Sequence, residues 1–257
     1  MSTTVLITGV TLYALVFCRM GGMIFFNPLF TRANIPAPLR VALVLGTTVL
    51  LAPSVADGAA AITNEFGLLF GILSELAIGV VMGYLFQLFF YLLLFAGDVI
   101  DMSFGLSMAK AFDPGTNIQS SLSGRILQIF FVLYFFATDS HLVLVRLIVN
   151  SYEIIPAGQV HFSSGVWQYL LEAFVFAFSL AVRLTLPFVA ASFVLEIALG
   201  VLMKLIPQIN VFVIHFQMKI MFGMFLMFLF AVPTGTAMES YLNQTLRYMQ
   251  GALQLFV

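Results

Sequence analysis

The chain has 257 residues, of which 62% are hydrophobic and only 8% charged, whereas a soluble domain carries roughly a quarter of its residues as charged groups. A surface so apolar cannot be kept wet, so a bilayer or neighbouring protein must cover most of it. With 10 Lys+Arg against 11 Asp+Glu the net charge is −1, which leaves no basic face for nucleic acid.

Met1 to Thr4 carries no basic residue, and the first one, Arg19, follows the apolar stretch. That is not the pattern of a secretory signal, so Val5 onward is expected to stay as a first membrane helix. It runs to Phe30, is interrupted by Arg19, Gly21 and Gly22, and is closed by Asn27-Pro28. The lone Cys18 within it allows no internal disulfide and reads as a small buried hydrophobe. Thr31 to Arg40 is a polar turn with Pro36 and Pro38, and Leu39 to Ala52 is a shorter apolar piece ended by Pro53. After a small-residue loop, Asn64 and Glu65 form a helix-start signal. The run from Phe66 to Gly97 would be roughly 46 Å long as a helix, against a hydrocarbon core of about 30 Å. It must tilt, bend or continue outside the lipid.

Asp98 to Gly124 is a mixed stretch of Gly, Ser, Met, Phe and a few charges. Arg125 to Ala137 and His141 to Val149 are short apolar pieces split by Thr138-Asp139-Ser140, and Pro156 to Ser164 is a loop. Val166 to Met203 is a very long run that includes Glu172, Arg183, Pro187 and Glu196. A proline in a helix interior removes a hydrogen bond and kinks the rod, so two helical pieces are expected there. Val211 to Val232 reads as a span closed by Pro233, followed by an amphipathic tail. The expected fold is an all-α membrane protein of about six hydrophobic helices, several kinked or broken, in a single domain over residues 1–257. Arg32 and Arg40 mark one basic loop, but the other basic residues scatter, so the orientation stays open.

Several features bear on function. Arg19, Glu75, Arg183, Glu196 and Lys219 lie within apolar runs, where an ion must find a partner or water. Near balance of acids and bases favours structural or inter-subunit pairing over an ion pathway. Gly67, Gly71, Glu75, Gly79 and Gly83 recur every four residues and so share one helix face. Such a face admits another backbone at close range, with Glu75 placed to meet a partner helix. Residues 75–82 and 196–203 echo each other, Glu-Leu-Ala-Ile-Gly-Val-Val-Met against Glu-Ile-Ala-Leu-Gly-Val-Leu-Met, which two unrelated apolar helices can also produce. The stretch from Ile100 to Gly115 is rich in Met, Phe, Gly and Ser, side chains that could close a pore by excluding water. It reads equally as an ordinary helix ending at Asp113-Pro114. Enzyme motifs are missing: His141, His161 and His215 are isolated, and no metal-ligand spacing, phosphate loop or nucleophile elbow is present. No catalysis and no cofactor are expected.

Taken in order, these motifs resemble the FliR family, the membrane export-gate component of bacterial flagella, related to a subunit of virulence type III secretion systems. The resemblance runs over nearly the whole chain. It is carried by Ile35-Pro36 with Arg40 and Pro53, by Glu75 with Gly79 and Gly83, and by Ala96-Gly97-Asp98-Val99-Ile100. Gly105-Leu106-Ser107, Phe112-Asp113-Pro114-Gly115, His141 with Ser151, and Pro156-Ala157-Gly158 follow. Most specific is Ala198-Leu199-Gly200 followed by Ile206-Pro207-Gln208-Ile209-Asn210-Val211-Phe212-Val213-Ile214. Lys110 departs from the pattern by placing a charge in the central segment.

The resemblance implies a non-catalytic gate subunit that packs as helical hairpins with FliP and FliQ in a hetero-oligomeric core, with FlhB attached. That core passes unfolded export substrates across the bacterial inner membrane at the flagellar basal body. It further implies that Met102, Phe104, Leu106, Met108 and Phe112 face the pore as a plug. Asp113, Pro114, Pro207, Gln208 and Asn210 are the family-motif loop residues, with contexts that lean flagellar. Glu75, Gly79, Gly83, Arg183, Glu196 and Lys219 are the helix-packing and buried-charge candidates. The alternative is a stand-alone secondary transporter of small molecules, with Glu75, Arg183, Glu196 and Lys219 forming a midplane site.

Overall fold

The computed structural model describes residues 3–31, 35–55, 65–107, 121–205 and 211–256, with the side chains of 3–8 and 211–214 left aside. Among these residues the regular elements are helices: α1 Thr3–Phe26, α2 Ala37–Val55, α3 Glu65–Ser103, α4 Leu122–Ala137, α5 Ser140–Ile154, α6 Val166–Leu205, α7 Val211–Leu229 and α8 Ala231–Leu253, then a 3-10 turn at Gln254–Phe256. Four of them are long and apolar enough to cross a membrane, or up to six spans if the bent pairs α4–α5 and α7–α8 each count as one. The chain is therefore an all-α membrane protein with several broken spans. The 39 residues of α3 and the 40 of α6 make rods of about 60 Å, twice a hydrocarbon core.

Helix ends follow local chemistry. Asn27 closes α1 by accepting the Leu29 N–H on its side-chain oxygen at 2.9 Å and the Phe30 N–H on its carbonyl at 3.1 Å. Between α4 and α5, Asp139 takes a left-handed φ of 55°, and Thr138 returns both its N–H and its hydroxyl to the Tyr134 carbonyl. Two prolines behave differently from expectation. Pro187 lies inside α6 without dividing it; a proline keeps a helical φ and forfeits one bond, so flanking turns can carry the rod through. Pro233 opens α8 rather than closing α7, because it falls in the first turn of α8, where no N–H has an intrahelical partner. Pro53 sits in the last turn of α2, two residues before Val55.

Contacts divide the chain into two compact units, Met1–Phe89 with Asp139–Phe174 and Asn243–Val257, and Phe90–Thr138 with Val175–Leu242. In the first, Leu15, Val16, Met20 and Ile24 of α1 pack with Val44 and Ala52 of α2 and with Tyr152 of α5. In the second, Phe90 of α3, Phe131 of α4 and Tyr241 of α8 stack edge to face, with centroids 5.7 and 6.4 Å apart. Helix α6 buries mainly a stripe of small residues, Ala173, Ala177, Ala181, Thr185 and Ser192, and leaves Phe174, Val175, Leu186, Phe193, Val194 and Ile197 exposed. Apolar area on that scale is expected to be covered by lipid or by another protein.

Candidate functional site

Two clusters carry the chemistry, one in each unit. In the first unit α1 and α3 cross with almost no space between their backbones. A methyl group at Gly22 would stand 2.8 Å from the Leu76 carbonyl oxygen, one at Gly83 would stand 2.8 Å from Phe26 Cβ, and one at Gly79 would strike the Arg19 carbonyl. Glycine is what allows this approach. One turn before Gly79 and Gly22 stand Glu75 and Arg19, which the crossing brings together.

Arg19 is 2% exposed and Glu75 0%. Arg19 Nε donates to Glu75 Oε2 at 2.5 Å and Nη2 to Oε1 at 3.1 Å. The remaining guanidinium N–H groups reach the C-terminal turn of α5: Nη1 to the Ser151 carbonyl (2.9 Å) and hydroxyl (3.3 Å), and Nη2 to the Ile155 carbonyl (3.0 Å). All five donors of the fork are used. The Gly158 N–H completes the set by donating to Glu75 Oε1 at 2.8 Å, and the Tyr152 ring lies under the guanidinium, 4.1 Å from Cζ. A cation at the end of a helix is also favoured by that helix's own carbonyls. The partner helix for Glu75 is thus α1 of the same chain, and the cluster ties α1, α3 and the end of α5 into one piece.

In the second unit the end of α3 meets the start of α4. A methyl at Gly97 would fall on the Gly124 backbone, and one at Gly124 would stand 3.0 Å from Leu94 Cα. One turn beyond Gly97, the buried carboxylate of Asp101 accepts the Ser121 hydroxyl and the Leu122 N–H, each at 2.8 Å, and the Ser123 N–H at 3.2 Å. Ser121 in turn caps α4 by accepting the Gly124 N–H at 2.9 Å. Negative charge at a helix N-terminus satisfies donors that have no other partner. Helix α3 then stops at Ser103, short of Asp113: Gly105, at φ 74°, donates to the Met102 carbonyl in a left-handed cap.

The plug candidates in this region are placed differently from one another. Phe104 is fully buried, with Gly223 beneath it at a point where a methyl would stand 2.6 Å from its Cγ, and with Phe222 at 6.4 Å between centroids. Met102 is 71% exposed and Leu106 is half-buried. Met108, Phe112, Asp113, Pro114, Pro207, Gln208 and Asn210 lie outside the described residues.

Of the remaining charged candidates, Lys219 of α7 donates to Glu196 of α6. The echoed segments therefore each hold an acid paired with a base. Their glycines do not match, because a methyl at Gly200 would meet nothing within 4 Å. Arg183 is exposed. Asp101, Ser121 and Gly124 were not singled out by the sequence reading. Ser121 just before an apolar run is a readable cap signal, whereas its pairing with an acid twenty residues upstream is not. Among the described residues no group of three His, Cys, Asp or Glu side chains could hold a metal ion.

An Arg19–Glu75 pair with all five guanidinium donors engaged, helices crossing on glycine and large apolar faces left open describe a membrane protein built for packing. Comparison with known proteins agrees. The family model of bacterial export proteins, family 1, matches residues 10–245, and the chain belongs to that family, which is one of export proteins and not of enzymes. Among its relatives, the flagellar biosynthetic protein FliR of Escherichia coli K12 is 27% identical over 81% of this chain and 80% of its own length. FliR of Caulobacter vibrioides is 29% identical over 83% and 86%. FliR of Bacillus subtilis 168 is 25% identical over 95% of each chain.

Proposed function

We propose that this chain is a subunit of the flagellar protein export apparatus in the bacterial inner membrane. With FliP-like and FliQ-like subunits it forms the conduit for unfolded export substrates, with an FlhB-like subunit attached, and it helps to hold that conduit shut at rest. The observation that carries this reading is the export-family match across residues 10–245, with relatives that are flagellar biosynthetic proteins. Rods twice as long as a bilayer core and the broad exposed face of α6 suit a subunit whose helices are covered by other chains. The stand-alone transporter is disfavoured because Glu75 has both oxygens engaged and no exposure, which leaves no carboxylate there for a passing ion.

In this reading the end of α3 and the segment after it form the plug. Asp101 and the Gly105 cap hold its base, Phe104 anchors it against α7, and Met102 and Leu106, with Met108 and Phe112, close the passage by excluding water. Methionine suits a seal that must yield, being flexible and polarisable. Phe104 is a core side chain and is left in place in the test. Cells carrying Met102→Ala, Met108→Ala and Phe112→Ala together are expected to leak ions and small solutes while the complex is recovered in normal yield. Wild-type permeability in a fully assembled variant complex would remove the plug role.

A further inference from the structure

We propose that Arg183 is the docking point for an acidic side chain carried on an apolar helix of a neighbouring subunit, seated in a hollow between α6 and α8. This rests on the reading of the chain as one subunit of a multi-chain gate, and it names a contact that the gate requires.

Arg19 and Lys219 each have a carboxylate partner within the chain, whereas Arg183 has no hydrogen bond or ion pair with any described residue. It is exposed on α6 in the stretch 173–195, where it is the only charged residue. Such an ion is tolerated only opposite a counter-ion or water.

The place along the helix selects the occupant. Glu172 and Glu196 bound the apolar stretch, and along a helix they lie about 16 and 20 Å from Arg183. The whole interval is about 35 Å, close to the thickness of a hydrocarbon core. Over so long an apolar interval a counter-ion carried on a neighbouring helix is nearer to hand than a lipid phosphate at its edge.

The surroundings fit a carboxylate. Arg183 lines a cavity of about 240 Å³, room for a side chain or two, together with Leu184, Pro187, Phe230, Pro233 and Thr234. Ser240 also lines it, and its hydroxyl and that of Thr234 can donate to a carboxylate oxygen left over from the guanidinium fork. The apolar walls exclude water from the pair and so strengthen it.

The test uses the full-length chain at native expression in its own cells, purified in mild detergent, with each neighbour's recovery normalised to the chain's own level. Arg183→Ala is expected to lower the recovery of one neighbour about tenfold or more while leaving the other neighbours unchanged. Arg183→Lys should fall between, because it keeps the charge and loses the fork. A photo-crosslinking residue at Leu184 should label an apolar segment of that same neighbour bearing Asp or Glu. Changing that acid to Arg should restore recovery in the Arg183→Glu chain. Arg183→Ala and Arg183→Glu chains that retain every neighbour at wild-type level would overturn the proposal, as would a crosslink confined to lipid or to a second copy of this chain. A wild-type chain that purifies alone would instead overturn the gate reading on which it rests.

Discussion

Arg19→Ala is expected to cost about 3–5 kcal/mol of stability, because it strands the fully buried Glu75 carboxylate without its counter-ion. The loss has three parts in the structure. The carboxylate loses both guanidinium contacts, the Ser151 and Ile155 carbonyls each lose a guanidinium donor, and Tyr152 loses the cation beneath which it packs. Glu75→Ala should cost a similar amount for the mirrored reason. The double replacement Arg19→Met, Glu75→Leu should be far milder than either single change, since no ion is then left unpaired. The steady-state level of the full-length chain in native membranes, with a thermal midpoint in detergent, reads all three. Single variants as abundant and as heat-stable as wild type would show that the pair contributes little.

Gly97→Ala should be the most damaging single methyl group in the second unit. Its Cβ falls on the Gly124 backbone rather than on a movable side chain, so α3 and α4 must separate. Overpacking of this kind costs about 1–3 kcal/mol or more, and the separation would also stretch the Asp101 contacts to Ser121, Leu122 and Ser123 one turn away. Two internal controls exist. Gly46 and Gly200 have nothing within 4 Å of an added methyl, so alanine there should be neutral or slightly stabilising through helix propensity. If Gly97→Ala behaves like Gly200→Ala in the same melting assay, the close crossing of α3 and α4 is wrong.

Much of the fold is legible in the chain because local signals decide it. Asn27-Pro28 and Thr138-Asp139-Ser140 each mark a helix boundary through chemistry confined to a few residues, and both stand where expected, whereas Asn64 of the Asn64-Glu65 start signal lies outside the described residues. The overlong apolar runs likewise become α3 and α6. Prolines were read less well, since whether Pro187 or Pro233 breaks a rod depends on its place within the finished helix. The charged candidates show a deeper limit. A costly ion can be spotted in an apolar run, and Arg19 and Glu75 were, but its partner lies 56 residues away and is chosen by a backbone crossing. The glycines at that crossing form a stripe on α3, which periodicity reveals. The single Gly22 that meets them on α1, and the single Gly124 opposite Gly97, have no periodicity to betray them.

What the sequence and the isolated subunit share is an excess of apolar helix surface, with Arg183 unpaired among the described residues midway along an apolar stretch, and the contacts it lacks must come from other chains. The most direct measurement is the mass and composition of the particle that the full-length chain forms when extracted gently from its own cells. A defined hetero-oligomer containing FliP-like and FliQ-like subunits is the expected result. A monodisperse monomer that moves a small solute into liposomes unaided would contradict it.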